Sequence, residues 1–169
     1  MTTDQIIFLI VAGATLGSAF MVVTSRNLIH AALWLVATLF GVAVQFALLN
    51  AGFLAVVQVV VYIGAIAILF IFAVMLTRKE MRDQGPQLNP SWWLSAILAV
   101  VTFGGLVGML WGWKDMSKLV ADIPPGFDAV SALGDALISP NAFVLPFEVA
   151  SILLLAALVG AVYLAFNRK

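Results

Sequence analysis

The chain has 169 residues, 64% of them hydrophobic and only 9% charged, whereas soluble domains run at roughly half apolar and about a quarter charged. A globular core cannot hide that excess at this length, so the bilayer must be the solvent for most of the chain. Eight Lys and Arg balance eight Asp and Glu, there is no cysteine, and His30 is the single histidine; this excludes an electrostatic nucleic-acid footprint, disulfides, thiolate-held clusters, a bis-histidine haem and a multi-histidine metal site.

The opening residues Met1-Thr2-Thr3-Asp4-Gln5 lack the basic start of a cleavable signal peptide. Apolar runs come next at about 5–24, 29–49, 53–76, 92–112 and 143–166. Each is about 20 residues long, which at 1.5 Å per residue matches a hydrocarbon core of roughly 30 Å. A backbone in lipid must satisfy its own hydrogen bonds, so each run is predicted to be a helix. The expected fold is an all-α, integral membrane bundle of five transmembrane helices forming a single domain over 1–169.

The first span carries Gly13 and Gly17 four residues apart, a spacing that lets helix backbones approach closely. Arg26-Asn27 separates it from the second span, and His30 falls at the entry to that span. Asn50-Ala51-Gly52 is a tight link to the third, which holds two polar residues, Gln58 and Tyr62, on one helical face. At membrane depth both should face protein or water. Gly64 is close behind, and a glycine beside polar groups within a helix is a plausible place for a π-bulge. The bland alternative is a packing glycine with two satisfied polar groups.

The stretch from Arg78 to Pro90 is polar. Trp92 and Trp93 open the fourth span and Trp111 and Trp113 close it, as an aromatic belt at both interfaces does; Gly104, Gly108 and Gly112 line one face between them. The long polar loop 113–142 contains the breaker Pro124-Pro125-Gly126, after which Phe127 to Ile138 has apolar residues near helical spacing and reads as a short interfacial helix.

The fifth span carries Ala157, Ala161 and Ala165 and the only carboxylate within an apolar run, Glu148. If Pro146 is the first helical residue, Glu148 lies in the first turn and complements the helix dipole; the other reading is a proton path. With five spans, Arg26, Arg78, Lys79, Arg82, Arg168 and Lys169 fall on one side and Lys114 and Lys118 on the other. The positive-inside rule then puts the N-terminus outside and the C-terminus in the cytoplasm.

The third span, Phe-Leu-Ala-Val-Val-Gln before Val-Tyr-Ile-Gly-Ala-Ile and Leu-Phe-Ile-Phe, closely resembles the subunit J family of proton-pumping NADH:quinone oxidoreductase, respiratory complex I. So do Asn27 through His30-Ala31-Ala32-Leu33-Trp34-Leu35, and Ala132-Leu133-Gly134 with the later Leu145-Pro146-Phe147-Glu148 and Ser151. Relatives often carry proline where this chain has Leu28, and some carry glutamate at the place of Gln58.

The resemblance implies a non-redox membrane-arm subunit that couples quinone reduction to proton translocation. It implies no catalytic residue, metal or cofactor in this chain, with NADH, FMN, iron–sulfur clusters and quinone held by other subunits. Partners are the bilayer and the neighbouring quinone-cavity and antiporter-like subunits, in the inner (plasma) membrane of a bacterium rather than a mitochondrion. The residues that match the family's helix switch, where a π-bulge can form, are Tyr62, Ile63, Gly64 and Ala65; Gln58 and Glu148 are candidates for a proton path or for helix capping. The alternatives to the complex I reading are a free-standing small ion channel or transporter, and a purely structural assembly subunit.

Overall fold

The computed structural model of the chain describes residues 3–76, 90–112 and 126–166. Among these residues there is no strand, and five helices are long and apolar enough to cross a membrane. They are α1 (Thr3–Thr24), α2 (Leu28–Leu48), α3 (Gly52–Leu76), α4 (Trp92–Gly112) and α6 (Val144–Phe166), with the short helix α5 (Ala129–Ile138) before the last. The basic residues Arg78, Lys79, Arg82, Lys114, Lys118, Arg168 and Lys169, together with Trp113 and Pro124-Pro125, lie outside the described residues.

The chain divides into two compact units, Met1–Gly105 and Leu106–Lys169. In the first, α2 is the central helix, and both α1 and α3 pack on it. Asn27 begins α2: its backbone is extended, and its side-chain oxygen accepts from the Ile29 N–H at 2.9 Å, which satisfies one of the orphan donors of the first turn. Leu28 is therefore the first helical residue, the position at which proline is accommodated.

At its other end α2 stops through Asn50, the one non-glycine residue with positive φ (58°) among the described residues. Asparagine tolerates this left-handed conformation better than most residues. The turn lets the Asn50 N–H donate to the Ala47 carbonyl and the Ala51 N–H to the Phe46 carbonyl, at 3.1 and 2.9 Å. Those bonds serve carbonyls the helix would leave open and return the chain directly into α3.

In the second unit the expected interfacial helix begins at Ala129 rather than Phe127. Asp128 is its N-cap, accepting from the N–H groups of Val130 and Ser131 at 3.0 and 3.3 Å. A residue that caps with its side chain stays extended and cannot also be in the helix. Gly126 precedes it at φ 88°. At the far end the Phe143 N–H donates to the Ala136 carbonyl at 3.0 Å, tying α5 to the start of α6.

Candidate functional site

The third span is not a uniform α-helix. Gly52–Val57 is α-helical, Gln58–Ala67 is π-helical over ten residues, and Ile68–Leu76 is α-helical again. At the exit the Ile68 N–H reaches back five residues to Ile63 O as well as three to Ala65 O. Tyr62, Ile63, Gly64 and Ala65 lie within the π-helical run, which extends four residues before them and two beyond.

The local sequence accounts for the wide winding. Val56, Val57, Val59, Val60, Val61 and Ile63 are β-branched. Such side chains crowd the preceding turn in an α-helix and lose rotamer freedom there. A wider turn spaces them further apart, and the one β-carbon missing from the stretch is that of Gly64. A Cβ built on Gly64 would stand 3.4 Å from the Val59 carbonyl oxygen, an ordinary contact. The observed winding therefore has room for a single β-carbon at position 64.

The winding decides which side chains meet α2. Gln58 and Ala67, the first and last residues of the π run, are its only two buried residues. They are nine residues apart. At 3.6 residues per turn nine residues make 2.5 turns and put the two on opposite faces; at about 4.4 residues per π turn they make roughly two turns and share a face. Ile63, Ile71 and Val74 continue the seam at intermediate burial, whereas Tyr62, Gly64 and Ala65 are exposed on this chain.

Two side-chain bonds cross between helices. Gln58 Nε2 donates to the Leu39 carbonyl of α2 at 3.5 Å. Gln45 Nε2 of α2 donates to Thr15 Oγ1 of α1 at 3.3 Å, while Thr15 Oγ1 itself donates to Val11 O at 2.7 Å. Thr15 and Gln58 are the two buried polar residues among those described. Interhelical bonds of this type in membrane proteins average about 0.6 kcal/mol, so they set registry more than stability.

Gly41, four residues before Gln45, is where the backbones of α1 and α2 meet. A Cβ there would overlap Thr15 Oγ1 and come within 3.1 Å of Thr15 Cβ. The glycines at small-residue spacing do not play this part, since a Cβ at Gly13, Gly17, Gly104, Gly108 or Gly112 would meet nothing within 4 Å. The signal for Gly41 in the sequence is a glycine one helical turn from a glutamine, and its partner Thr15 is invisible without the fold.

Beside the start of the π run lies an open, wholly apolar groove of about 350 Å³ between α2 and α3, floored by Ala43, Ala47 and Ala55 and walled by Phe40, Val59 and Val60. His30 is the third residue of α2 and is exposed. Glu148 is the fifth residue of α6 and is exposed; the helix starts at Val144, two residues before Pro146, and has no acidic residue in its first turn. The dipole's influence fades beyond that turn. Ser151, one turn on, donates to the Phe147 carbonyl at 3.3 Å rather than to Glu148. Among the described residues, no group of three or more His, Cys, Asp or Glu side chains is placed to hold a metal ion.

The family described as NADH-ubiquinone/plastoquinone oxidoreductase chain 6 matches residues 18–164. The chain is 41% identical to the F(420)H(2) dehydrogenase subunit J of Methanosarcina mazei, over 96% of this chain and 90% of that protein. It is 31% identical to the NADH-quinone oxidoreductase subunit J of Rhodobacter capsulatus, over 100% and 85%. It is 36% identical to the NAD(P)H-quinone oxidoreductase chain 6 of Leptolyngbya boryana, over 94% and 77%.

Proposed function

Because the chain belongs to the NADH-ubiquinone/plastoquinone oxidoreductase chain 6 family, a membrane-arm subunit of complex I, we propose that it couples quinone reduction to proton translocation through a change of winding in α3. The observation that carries this reading is the π-helical run Gln58–Ala67 inside an otherwise α-helical span. Conversion of that run to α winding turns the Ile68–Leu76 stretch relative to the Gly52–Val57 stretch. Rotation exchanges the small Ala67 for bulkier neighbours on the α2 side, and the apolar groove beside Val59 and Val60 gives the side chains room to repack. An element with two discrete arrangements is what a coupling device requires.

The chain takes no part in the redox chemistry on this reading. The relatives' names give F(420)H(2), NADH and NAD(P)H as donors, yet each is 31–41% identical to this chain over nearly all of its length. A subunit that holds its sequence while the donor varies is remote from the donor. NADH, FMN, the iron–sulfur clusters and quinone accordingly belong to other subunits. The quinone-cavity and antiporter-like subunits are the neighbours, and a bacterial inner membrane is the setting, with the N-terminus outside as the basic residues predict. Glu148, exposed in the second turn of α6, serves a proton path completed by groups of those neighbours.

Replacement of Gly64 by leucine in the assembled complex tests the coupling role. A bulky side chain in the π run should leave assembly and NADH oxidation intact and lower the protons moved per electron. Normal pumping in a fully assembled Gly64→Leu complex sinks the proposal.

A further inference from the structure

We propose that Gln58 is a positioning residue that fixes the phase of α3 against α2, so that a change of winding is delivered to the Ile68–Leu76 side of the span and withheld from the Gly52–Val57 side. This rests on the reading that the π run changes its winding, and it adds where the motion goes and which residue directs it.

The two flanks of the π run are held in different ways. The flank before it is tied at both ends. At its entry the left-handed Asn50 and the bond from Ala51 N–H to Phe46 O join it to the last turn of α2. At its exit the buried Gln58 carboxamide donates to Leu39 O of the same helix. The seven residues between, Ala51 to Val57, have two fixed points on one neighbour. The flank after the π run is Ile-Leu-Phe-Ile-Phe-Ala-Val-Met-Leu, with no polar side chain. The side chains it offers to α2 are all apolar, and apolar contacts can be exchanged for other apolar contacts.

Gln58 is also the last residue whose face is the same in both windings, since the α-helical stretch before it does not change. With Gln58 held toward α2, continuous α winding brings Ala65, Leu69 and Phe72 to the α2 side, at seven, eleven and fourteen residues and so close to whole turns. In the observed winding that side is taken by Ala67, Ile71 and Val74. The change therefore trades Ala67 for Leu69 and Phe72 while leaving Ala55 where it is. Without a donor at position 58, the flank keeps only its tie at the Asn50 turn, and its far end is held by packing alone.

The chain has no native cysteine, so single reporters can be placed in the whole complex. Ala55→Cys, Ala67→Cys and Leu69→Cys variants are labelled in membranes with N-ethylmaleimide, at rest and during turnover with NADH and quinone, and the peptides of this chain are quantified by mass spectrometry. Labelling at 67 and at 69 should change several-fold in opposite directions on turnover, with labelling at 55 unchanged. In a Gln58→Met background, which keeps the bulk and removes the donor, position 55 should become turnover-sensitive too. A change at 55 with Gln58 in place overturns the role given to Gln58 and leaves the switch standing. No change at 67 and 69 removes the switch itself and this inference with it. An assembled Gln58→Met complex whose position 55 stays silent also overturns the assignment. If Gln58→Met does not assemble, the arm with Gln58 intact can still overturn the assignment.

Discussion

The hydroxyl of Thr15 occupies the place that a side chain on Gly41 would need. The two residues lie on neighbouring helices, and Gln45, one turn along α2, donates to the same hydroxyl. Gly41→Ala should therefore push α1 and α2 apart, at a cost of about 1–3 kcal/mol for an overpacked site. The expected result is less assembled complex on native gels and a lower Tm. Thr15→Ala in the same chain removes the overlapping oxygen, leaves the 3.1 Å approach to Cβ, and should restore assembly only in part. Full tolerance of Gly41→Ala alone would contradict the close approach.

The turn after α2 makes a second prediction. Asn50 sits at φ 58°, where a β-branched side chain costs roughly 1–2 kcal/mol and glycine costs nothing sterically. Asn50→Gly should leave the Tm of the purified complex within a degree or two, and Asn50→Val should lower it measurably. Equal behaviour of the two variants would mean that the turn is not left-handed.

At the entry to α2, Leu28 is the first helical residue. The first helical position suits proline, and the extended Asn27 before it suits a residue that precedes proline. Leu28→Pro is expected to assemble and turn over normally. Asn27→Ala, which removes the cap on Ile29 N–H, is expected to cost about 1 kcal/mol, seen as faster hydrogen exchange in the first turn of α2. The reverse order of effects would rule out this account of the helix start.

Glu148 supplies the fourth. Its carboxylate is exposed on this chain in the second turn of α6, beyond the reach of a first-turn dipole role. Glu148→Gln keeps the shape and removes the titrating group. If the side chain serves a proton path, the variant complex should oxidise NADH at a normal rate with an uncoupler present and build a smaller proton gradient without one. An unchanged gradient would return Glu148 to a structural role.

Much of the architecture is legible from hydropathy, because in lipid a run of about 20 apolar residues has few options besides a helix. The ends differ by a residue or two wherever a side chain caps. Asp128 shortens the start of α5, and α6 starts ahead of Pro146, which its free first-turn N–H positions permit. The extent of the π run is harder to read. Tyr62 and Gly64 draw the eye, but the run begins at Gln58, and the valines that precede Gly64 are commonplace in any membrane span. The meeting of Gly41 with Thr15 is hidden for a different reason. Spacing within one helix shows which residues share a face, and not which face is turned to which neighbour, so the regular Gly13/Gly17 pair looks like the contact and is open instead.

Among the described residues only three apolar side chains are buried, Ala32, Ala43 and Ala67, and all are alanines. An apolar interior made of alanines alone adds little packing to the registry that the Thr15 and Gln58 bonds set, so the helices depend on what surrounds them for much of their stability. Copies made in excess of their neighbours should then be short-lived and prone to clearance by membrane proteases. A cell that makes this chain has reason to match its synthesis to that of the subunits it joins.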